Sequence, residues 1–217
     1  MKIIVFDTET TGLPERIGGK YPLINDIGRW PYIIQLSYIL YDLDLKKMLD
    51  CQDHIINLPS NIIISKESTN IHGINRSMST RKGISINYAL EDFNNALNKA
   101  DCVVAHNLSF DKRLIQVENI RSGNKDNFTG KSEYCTMKNN INFCAIERIG
   151  RNGDKYFKYP TLSELYQKMF NINPKGTHDS MVDVLLCLRC YCNTKHNQDI
   201  TKKSCKILKN IYKLYEI

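Results

Sequence analysis

The stretch KIIVFDTETTG, residues 2–12, decides how this chain is expected to fold. Its first five residues are largely apolar and rich in β-branched side chains, which predicts a buried strand. Asp7 and Glu9 follow directly, and because residues two apart in a strand point the same way, their carboxylates share one side. Two such charges repel unless a cation lies between them, and a hard divalent ion is the simplest candidate. Two solvent-facing acids at a strand end are the alternative at this point.

The pattern on either side of this stretch predicts an α/β domain. A polar, glycine-rich loop covers residues 10–29, and apolar runs predict strands at 33–42 and 47–58, which suggests an antiparallel meander. The apolar period then becomes helical at residues 87–100, about 109–118, from 160 onward, 179–193 and 200–216, with short strands at 102–105 and 134–137. Asn152-Gly153 predicts a two-residue turn in a hairpin within residues 142–159. This order describes a mixed sheet flanked by helices.

Composition and length narrow the class of protein. With 217 residues, of which 42% are hydrophobic and 24% charged, the chain is expected to form one domain. Its core is predicted at about 1–193, and a basic amphipathic helix at about 200–216. We find no apolar run long enough for a membrane span and no signal peptide, so a soluble intracellular protein is expected. The net charge of +7 is compatible with a polyanionic partner.

Eight cysteines raise the alternatives of disulfides or zinc. They lack the paired spacing of a zinc site, and the densest group, Cys187, Cys190 and Cys192, lies in a run with helical periodicity. Cysteine in such a setting behaves as a small buried hydrophobe. Reduced core cysteines in a reducing compartment are therefore the preferred interpretation.

Further acids and a histidine follow the later elements. Asp111 comes after the strand at 102–105 and a short polar turn, where the alternative role is a helix-start residue favoured by the macrodipole. His178 and Asp183 are five residues apart, about 1.4 helical turns, so both are able to lean toward one site. Asp179 and Asp183 are four apart, and spacing alone does not say which of them is the ligand.

Taken together, Asp7-x-Glu9, the block from His106 to Asp111 and His178-x4-Asp183 resemble the three motifs of the DEDDh 3′-to-5′ exonucleases. The chain most resembles the epsilon proofreading subunits of bacterial DNA polymerase III and their exonuclease-domain relatives. Because the position four residues before Asp183 is Asp179 rather than a tyrosine, the histidine type is favoured. The long loop at residues 14–31 and the hairpin at 142–159 depart from the compact members of the family.

The resemblance implies a fold, a metal site and a set of substrate contacts. The fold is a ribonuclease-H-like three-layer domain, whose mixed five-stranded sheet has three antiparallel strands followed by parallel ones, here with an extra hairpin. Two Mg²⁺ or Mn²⁺ ions would be held by Asp7, Glu9, Asp111 and Asp183, with His178 as general base. The substrate-binding residues would be Thr10, Leu13, His72, His106 and Asn107.

The implied activity is hydrolysis at the 3′ end of DNA, preferably single-stranded, with release of 5′-mononucleotides. An RNA-trimming exoribonuclease shares every catalytic residue, and a non-catalytic nucleic-acid-binding or polymerase-adaptor module is an alternative of a different class. A polymerase or another replication or repair protein is an expected partner. The lysine stripe at residues 202, 206, 209 and 213 is either a solvated helix face or a strip that follows phosphates.

Overall fold

The central feature of the computed structural model, which describes residues 1–203 and 206–215, is a mixed five-stranded sheet. Its strands are β1 (Lys2–Thr10), β2 (Ile33–Asp42), β3 (Lys47–Ile55), β4 (Cys102–Ala105) and β5 (Ser132–Cys135). They lie in the order β3-β2-β1-β4-β5, in which β1 is antiparallel to β2 and parallel to β4. The strand β3 is antiparallel to β2, and β5 is parallel to β4. The predicted sheet is confirmed.

Helices cover both faces of this sheet. In chain order they are α1 (Lys66–His72), α2 (Arg76–Lys82), α3 (Ile86–Lys99), α4 (Leu108–Arg121), α5 (Thr136–Asn139), α6 (Ile141–Cys144), α7 (Leu162–Phe170), α8 (Ser180–His196), α9 (Ile200–Lys203) and α10 (Lys206–Leu214). A 3-10 turn spans Ile27–Arg29, and a separate hairpin pairs β6 (Glu147–Ile149) with β7 (Lys155–Phe157).

Alternation along β1 separates two apolar cores. Ile4 and Phe6 point into the first core, which includes side chains of α3 and α4. Ile3 and Val5 point into the second, which includes side chains of α7 and α8. Because a strand's side chains alternate in direction, one apolar run supplies both layers, and the predicted three-layer arrangement is confirmed.

The helices α1 and α2 were not predicted from the sequence. No residue of α1 is buried and Ser79 alone is buried in α2, so neither shows an apolar stripe. Both instead begin at N-cap side chains: Ser65 accepts from the Ser68 N–H, and Asn75 accepts from the Met78 N–H. Local capping therefore marks these helices where periodicity does not.

Three element boundaries differ from the prediction. The third strand ends at Ile55 rather than at residue 58, and the strand placed at 134–137 lies at Ser132–Cys135, because Thr136 begins a helical turn. The hairpin is confirmed, but its last strand pair is Ile149 with Lys155, so a five-residue loop joins the strands. The predicted two-residue turn at Asn152-Gly153 is therefore wrong, and Gly153, at φ 84°, lies within that longer loop.

The C-terminal helices pack onto the second core. Ile200 and Leu208 are buried there, and the Tyr212 hydroxyl donates to the Leu185 carbonyl at 2.6 Å. The helix predicted at 200–216 is described as α9 and α10, while residues 204, 205 and 216 lie outside the described part of the chain. No helix among the described residues has the length and apolarity needed to cross a membrane.

Candidate active site

The first acids of the site lie at the C-terminal end of the central strand β1. Asp7 and Glu9 are half-buried and share the side of the strand that faces α8. The register with β2 shifts between Glu9 and Thr10, so the regular ladder ends immediately after Glu9. Both carboxylates therefore lie where the central strand ends, and not within the apolar core.

The third acid, Asp111, lies in the first turn of α4 and is buried. The chain leaves β4 through Asn107, whose left-handed conformation at φ 69° reverses its direction into the helix. The Thr8 hydroxyl donates to Asp111 Oδ1 at 2.8 Å, from the side of β1 opposite Asp7. This bond holds the α4 carboxylate against the strand that carries the other two acids.

The start of α8 shows which of its two aspartates faces the site. Asp179 is the N-cap residue, and its carboxylate accepts from the N–H groups of Met181 and Val182. Asp183 points inward, and its Oδ2 accepts the His178 N–H at 3.3 Å. Its Oδ1 is buried and has no hydrogen-bond partner among the described residues. Asp179 therefore caps the helix, and Asp183 keeps one buried oxygen without a hydrogen-bond partner among the described residues.

Three potential ligand groups converge at this point. One atom each of Glu9, His178 and Asp183 lies within 4.8 Å of the others. His178 is exposed and has a left-handed backbone, at φ 72°. A non-glycine residue in that conformation is uncommon, and here it places the imidazole beside the carboxylates and open to solvent.

The pKa values of all four acids are raised. Burial, followed by the charges of Asp111, Asp183 and Glu9, raises the pKa of Asp7 well above its usual value. Burial and the charges of Asp183 and Asp111 raise the pKa of Glu9 to about 8. Burial is also the main cause of the raised pKa values of Asp111 and Asp183. Crowded carboxylates of this kind resist ionisation until positive charge offsets them.

The donor set fits hard divalent cations. Carboxylate oxygens are the ligands that Mg²⁺ prefers, and the unpartnered Oδ1 of Asp183 is a buried acceptor that a cation would satisfy. The seven described cysteines are free, and they form no group of three potential metal ligands within the described ranges.

Three of the residues predicted to bind substrate surround the end of β1. Thr10 is buried, and its hydroxyl donates to the Gly12 carbonyl at 2.7 Å. His72 Nδ1 accepts the Ile74 N–H, so its Nε2–H donates to the Thr10 carbonyl at 3.2 Å. Burial is the main cause of the lowered pKa of His72, and His178 adds to it. Leu13 is 84% exposed, as an apolar side chain open to a ligand.

The other two residues predicted to bind substrate, His106 and Asn107, lie at the turn before α4. His106 Nε2 contacts the Pro160 carbonyl at 3.1 Å, and its Nδ1 contacts the Thr136 hydroxyl at 2.9 Å. Because a carbonyl only accepts, Nε2 carries the proton and Nδ1 accepts from the threonine. Both nitrogens are therefore used within the protein. Asn107 is half-buried, and its side chain makes no capping bond to α4.

Sequence reasoning missed Thr8, Gln35 and Ser180, which hold the acids in place. Ser180 is fully buried; its hydroxyl donates to the Asp7 carbonyl at 2.8 Å, and its N–H donates to Gln35 Oε1 at 3.3 Å. Gln35 Nε2 in turn donates to Asp53 at 2.8 Å. For Thr8 and Gln35 the available signal was a polar residue at an otherwise apolar strand position, but such a signal does not identify the hydrogen-bond partner.

Comparisons with known proteins show the family and the fold of this chain. The RNase_T family model, described as exonuclease, matches residues 4–191. Exonuclease I of E. coli in complex with a dT13 oligonucleotide superposes with a TM-score of 0.65 at 14% identity, over 90% of this chain and 42% of that one. Exonuclease I of Methylocaldum szegediense gives a TM-score of 0.60 at 14% identity, over 93% and 42% of the two chains.

The zinc-ion-bound complex of E. coli exonuclease I with single-stranded DNA gives a TM-score of 0.63 at 13% identity, over 93% of this chain and 42% of that one. The chain thus spans less than half the length of these structures, and at such identities the likeness shows the fold. The ribonuclease-H-like fold predicted from the motifs is confirmed. No curated protein sequence matches the chain.

Proposed function

The chain belongs to the exonuclease family of 3′-to-5′ nucleases, and on that premise we propose that it removes 5′-mononucleotides from the 3′ end of single-stranded DNA. The observation that carries the proposal is the convergence of Glu9, His178 and Asp183, together with a buried Asp183 oxygen that has no hydrogen-bond partner in the described part of the chain. Asp7 and Asp111 complete a group of four carboxylates whose pKa values are all raised. Such a group serves phosphodiester hydrolysis once cations offset its charge.

The proposal assigns the metal ligands to Asp7, Glu9, Asp111 and Asp183, which would hold two Mg²⁺ or Mn²⁺ ions. When bound, the ions supply Lewis acidity at the scissile phosphate and lower the pKa of the attacking water. The protein's contribution is to fix the carboxylates before substrate arrives. Thr8 holds Asp111, and Ser180 holds the strand at Asp7.

His178 is proposed as the general base. Its imidazole is exposed at the edge of the acid cluster, where it is able to take a proton from a water molecule next to the scissile bond. The backbone N–H of the same residue donates to Asp183, so the position of the base is tied to a proposed metal ligand. Histidine is the side chain that most often serves as a general base in enzymes.

The terminal nucleotide would lie between the end of β1 and the turn before α4. Leu13 would pack on a base face, while Thr10, His72 and Asn107 line the approach to the acids. The two internal contacts of His106 favour a supporting role, in which it holds the turn that contains Asn107. These assignments place the 3′ end where β1 and β4 both terminate.

DNA is proposed ahead of RNA because two of the superposing E. coli exonuclease I structures contain dT13 and dA16 oligonucleotides. Similarity in sequence motifs to the epsilon subunits makes a polymerase or repair protein a candidate partner. A single exonuclease domain over residues 1–217 and a reducing compartment complete the proposal; the compartment is supported by the seven cysteines within the described ranges, none of which is in a disulfide.

The test is degradation of 3′-labelled and 5′-labelled DNA and RNA oligonucleotides with Mg²⁺, Mn²⁺ or EDTA. A ladder that shortens from the 3′ end and disappears with EDTA is the expected result, and faster cleavage of DNA is expected. Faster cleavage of RNA would reassign the substrate, whereas no cleavage with either metal would favour a binding module.

A further inference from the structure

The hairpin formed by β6 and β7 lies outside the main sheet and is exposed on both faces. All six of its strand residues are exposed. A two-stranded hairpin alone is at best marginally stable in water, and its faces normally carry polar side chains unless something covers them. Here the exposed side chains include Ile149, Tyr156 and Phe157. The composition of the hairpin thus indicates a surface that meets a partner.

The cationic residues of the hairpin indicate the charge of that partner. Lys155 pairs with Glu147 at 3.5 Å, but Arg148 and Arg151 have no carboxylate partner within residues 1–203 and 206–215. The strand register places Arg148 directly opposite Tyr156, so a guanidinium and an aromatic ring share one face. Aromatic rings beside uncompensated cations are what single-stranded nucleic acid binds, by base stacking and phosphate contact.

The base of the hairpin is anchored next to the acid cluster. The Lys158 N–H closes the hairpin on the Ile146 carbonyl at 3.0 Å, and the Lys158 ammonium contacts both carboxylate oxygens of Glu164 at 2.6 and 2.7 Å. Two residues further on, the Pro160 carbonyl accepts from His106, which begins the turn leading to Asp111. The hairpin therefore extends from a fixed base beside the catalytic edge, over about 10 Å for three residues per strand.

We propose that this hairpin, residues 147–157, is a stacking platform that holds the single strand upstream of the 3′ end during hydrolysis. The inference rests on the proposed function and adds a second binding site to it. Tyr156 stacks on a base, while Arg148 on the same face and Arg151 in the loop contact phosphates; Phe157 lies on the opposite face. A strand held there reaches the acids past Pro160 and His106, so long substrates gain affinity that a dinucleotide does not.

The test compares long and short substrates in the full chain. Tyr156→Ala removes a tyrosine that is 53% exposed, and Tyr88→Ala, on α3, removes a matched control that is 57% exposed. Binding of an oligothymidylate of roughly 15 nucleotides is measured in EDTA by fluorescence anisotropy, since no hydrolysis occurs there. Cleavage of the same oligonucleotide and of a thymidine dinucleotide is then measured with Mg²⁺.

Tyr156→Ala is expected to raise the Kd for the long oligonucleotide about tenfold, the loss of one stacked base, and to leave dinucleotide cleavage unchanged. Tyr88→Ala changes neither. The double variant Arg148→Gln/Arg151→Gln is expected to lower the slope of log Kd against log salt concentration by about 1.4, the value for two lost phosphate contacts to a single strand. This variant tests the proposal even if Tyr156→Ala does not fold.

Equal Kd and KM for the long oligonucleotide in wild type, Tyr156→Ala and the arginine variant would overturn the platform. Wild type that cleaves neither DNA nor RNA, of either length, overturns the proposed function instead. If the substitutions leave oligonucleotide binding unchanged while the protein still degrades DNA, the hairpin does not hold the substrate strand and serves another interface.

Discussion

The hydroxyl of Ser180 donates a hydrogen bond to the backbone carbonyl of Asp7, at 2.8 Å, across 173 residues of sequence. It joins the first turn of α8 to the end of β1, the two elements that carry Asp183 and the pair Asp7 and Glu9. Gln35 extends the link, since its Oε1 accepts the Ser180 N–H. The spacing between the acids therefore depends on the Ser180 hydroxyl, which ties the start of α8 to the end of β1.

Ser180→Ala is expected to weaken divalent-ion binding about tenfold, the lower end of the range for residues that orient metal ligands. Loss of the buried hydrogen bond should also lower the free energy of unfolding by about 1 kcal/mol. Ser79→Ala is the matched control, because Ser79 is equally buried and donates to the Ile56 carbonyl at 2.7 Å. Calorimetric titration with Mn²⁺ and urea unfolding measure the two effects. Equal loss of Mn²⁺ affinity in both variants would contradict a positioning role.

Asp7→Asn is expected to reduce turnover to background while it stabilises the metal-free protein. The pKa of Asp7 is raised in the folded protein, so its contribution to stability is present at acidic pH and is lost as pH rises. Asparagine has no such titration, and the gain should therefore be absent near pH 4 and largest near pH 8. An increase in Tm of at least about 2 °C at pH 8 in EDTA is expected, with none at pH 4. A fall in Tm at both pH values would mean that Asp7 is mainly structural.

His178→Asn tests the general base with little disturbance of the backbone. Asparagine tolerates the left-handed conformation at φ 72°, so the fold and Mn²⁺ binding should be retained. Turnover is expected to fall about 10²- to 10⁴-fold, the contribution of a well-placed general base. His196→Asn, at the exposed last turn of α8, is the control and should keep full activity. Single-turnover cleavage rates measure the difference, and an unchanged rate for His178→Asn would remove this residue from the mechanism.

The location of Asp7 and Glu9 at the end of a buried strand could be predicted from the sequence, whereas the residues that hold the acids in place could not. Asp7 and Glu9 follow a run of apolar residues, and that pattern places them at a strand end. The bond from Thr8 to Asp111 spans 103 residues, and the bond from Ser180 to Gln35 spans 145. The sequence around a single serine or threonine does not indicate a hydrogen-bond partner more than 100 residues away, so these contacts are visible only in the structure.

Divalent-ion affinity is expected to rise steeply between about pH 6 and pH 9. The pKa of Glu9 is about 8 and those of Asp111 and Asp183 are raised, so ions must displace protons at neutral pH. Protons released on Mn²⁺ binding should be detectable by calorimetry in buffers of different ionisation enthalpy. Glu9→Gln should release fewer protons and bind more weakly. Equal affinity at pH 6 and pH 9 would show that the acids are already ionised without metal.

The helices and strands also divide into those that the sequence predicts and those that it does not. The strand β1 and the helix α3 were predictable because their apolar residues recur with the period of the element. In contrast, α1 has no buried residue, and its helical conformation rests on the Ser65 cap and the left-handed Gly73 at φ 74°. Such helices are stabilised by local polar contacts and by their attachment to neighbouring loops, and apolar periodicity does not report either one.

His106 gives the last prediction, which concerns acid stability. Burial lowers the pKa of this imidazole to about 4, below its usual value of 6.5. A lowered folded-state pKa means that the stabilising contribution is present above pH 6.5 and is lost as pH falls toward 4. Glutamine in its place is able to donate to the Pro160 carbonyl and accept from Thr136 without titrating.

The difference in unfolding free energy between wild type and His106→Gln should therefore be constant above about pH 7 and shift in favour of the variant between pH 6.5 and 4. The acids of the site titrate in an overlapping range with the opposite sign, but they are common to both proteins and cancel in the difference. Urea unfolding at pH steps from 4 to 8 measures it. A difference independent of pH would show that His106 titrates as in the unfolded chain, and that its two contacts do not hold it neutral.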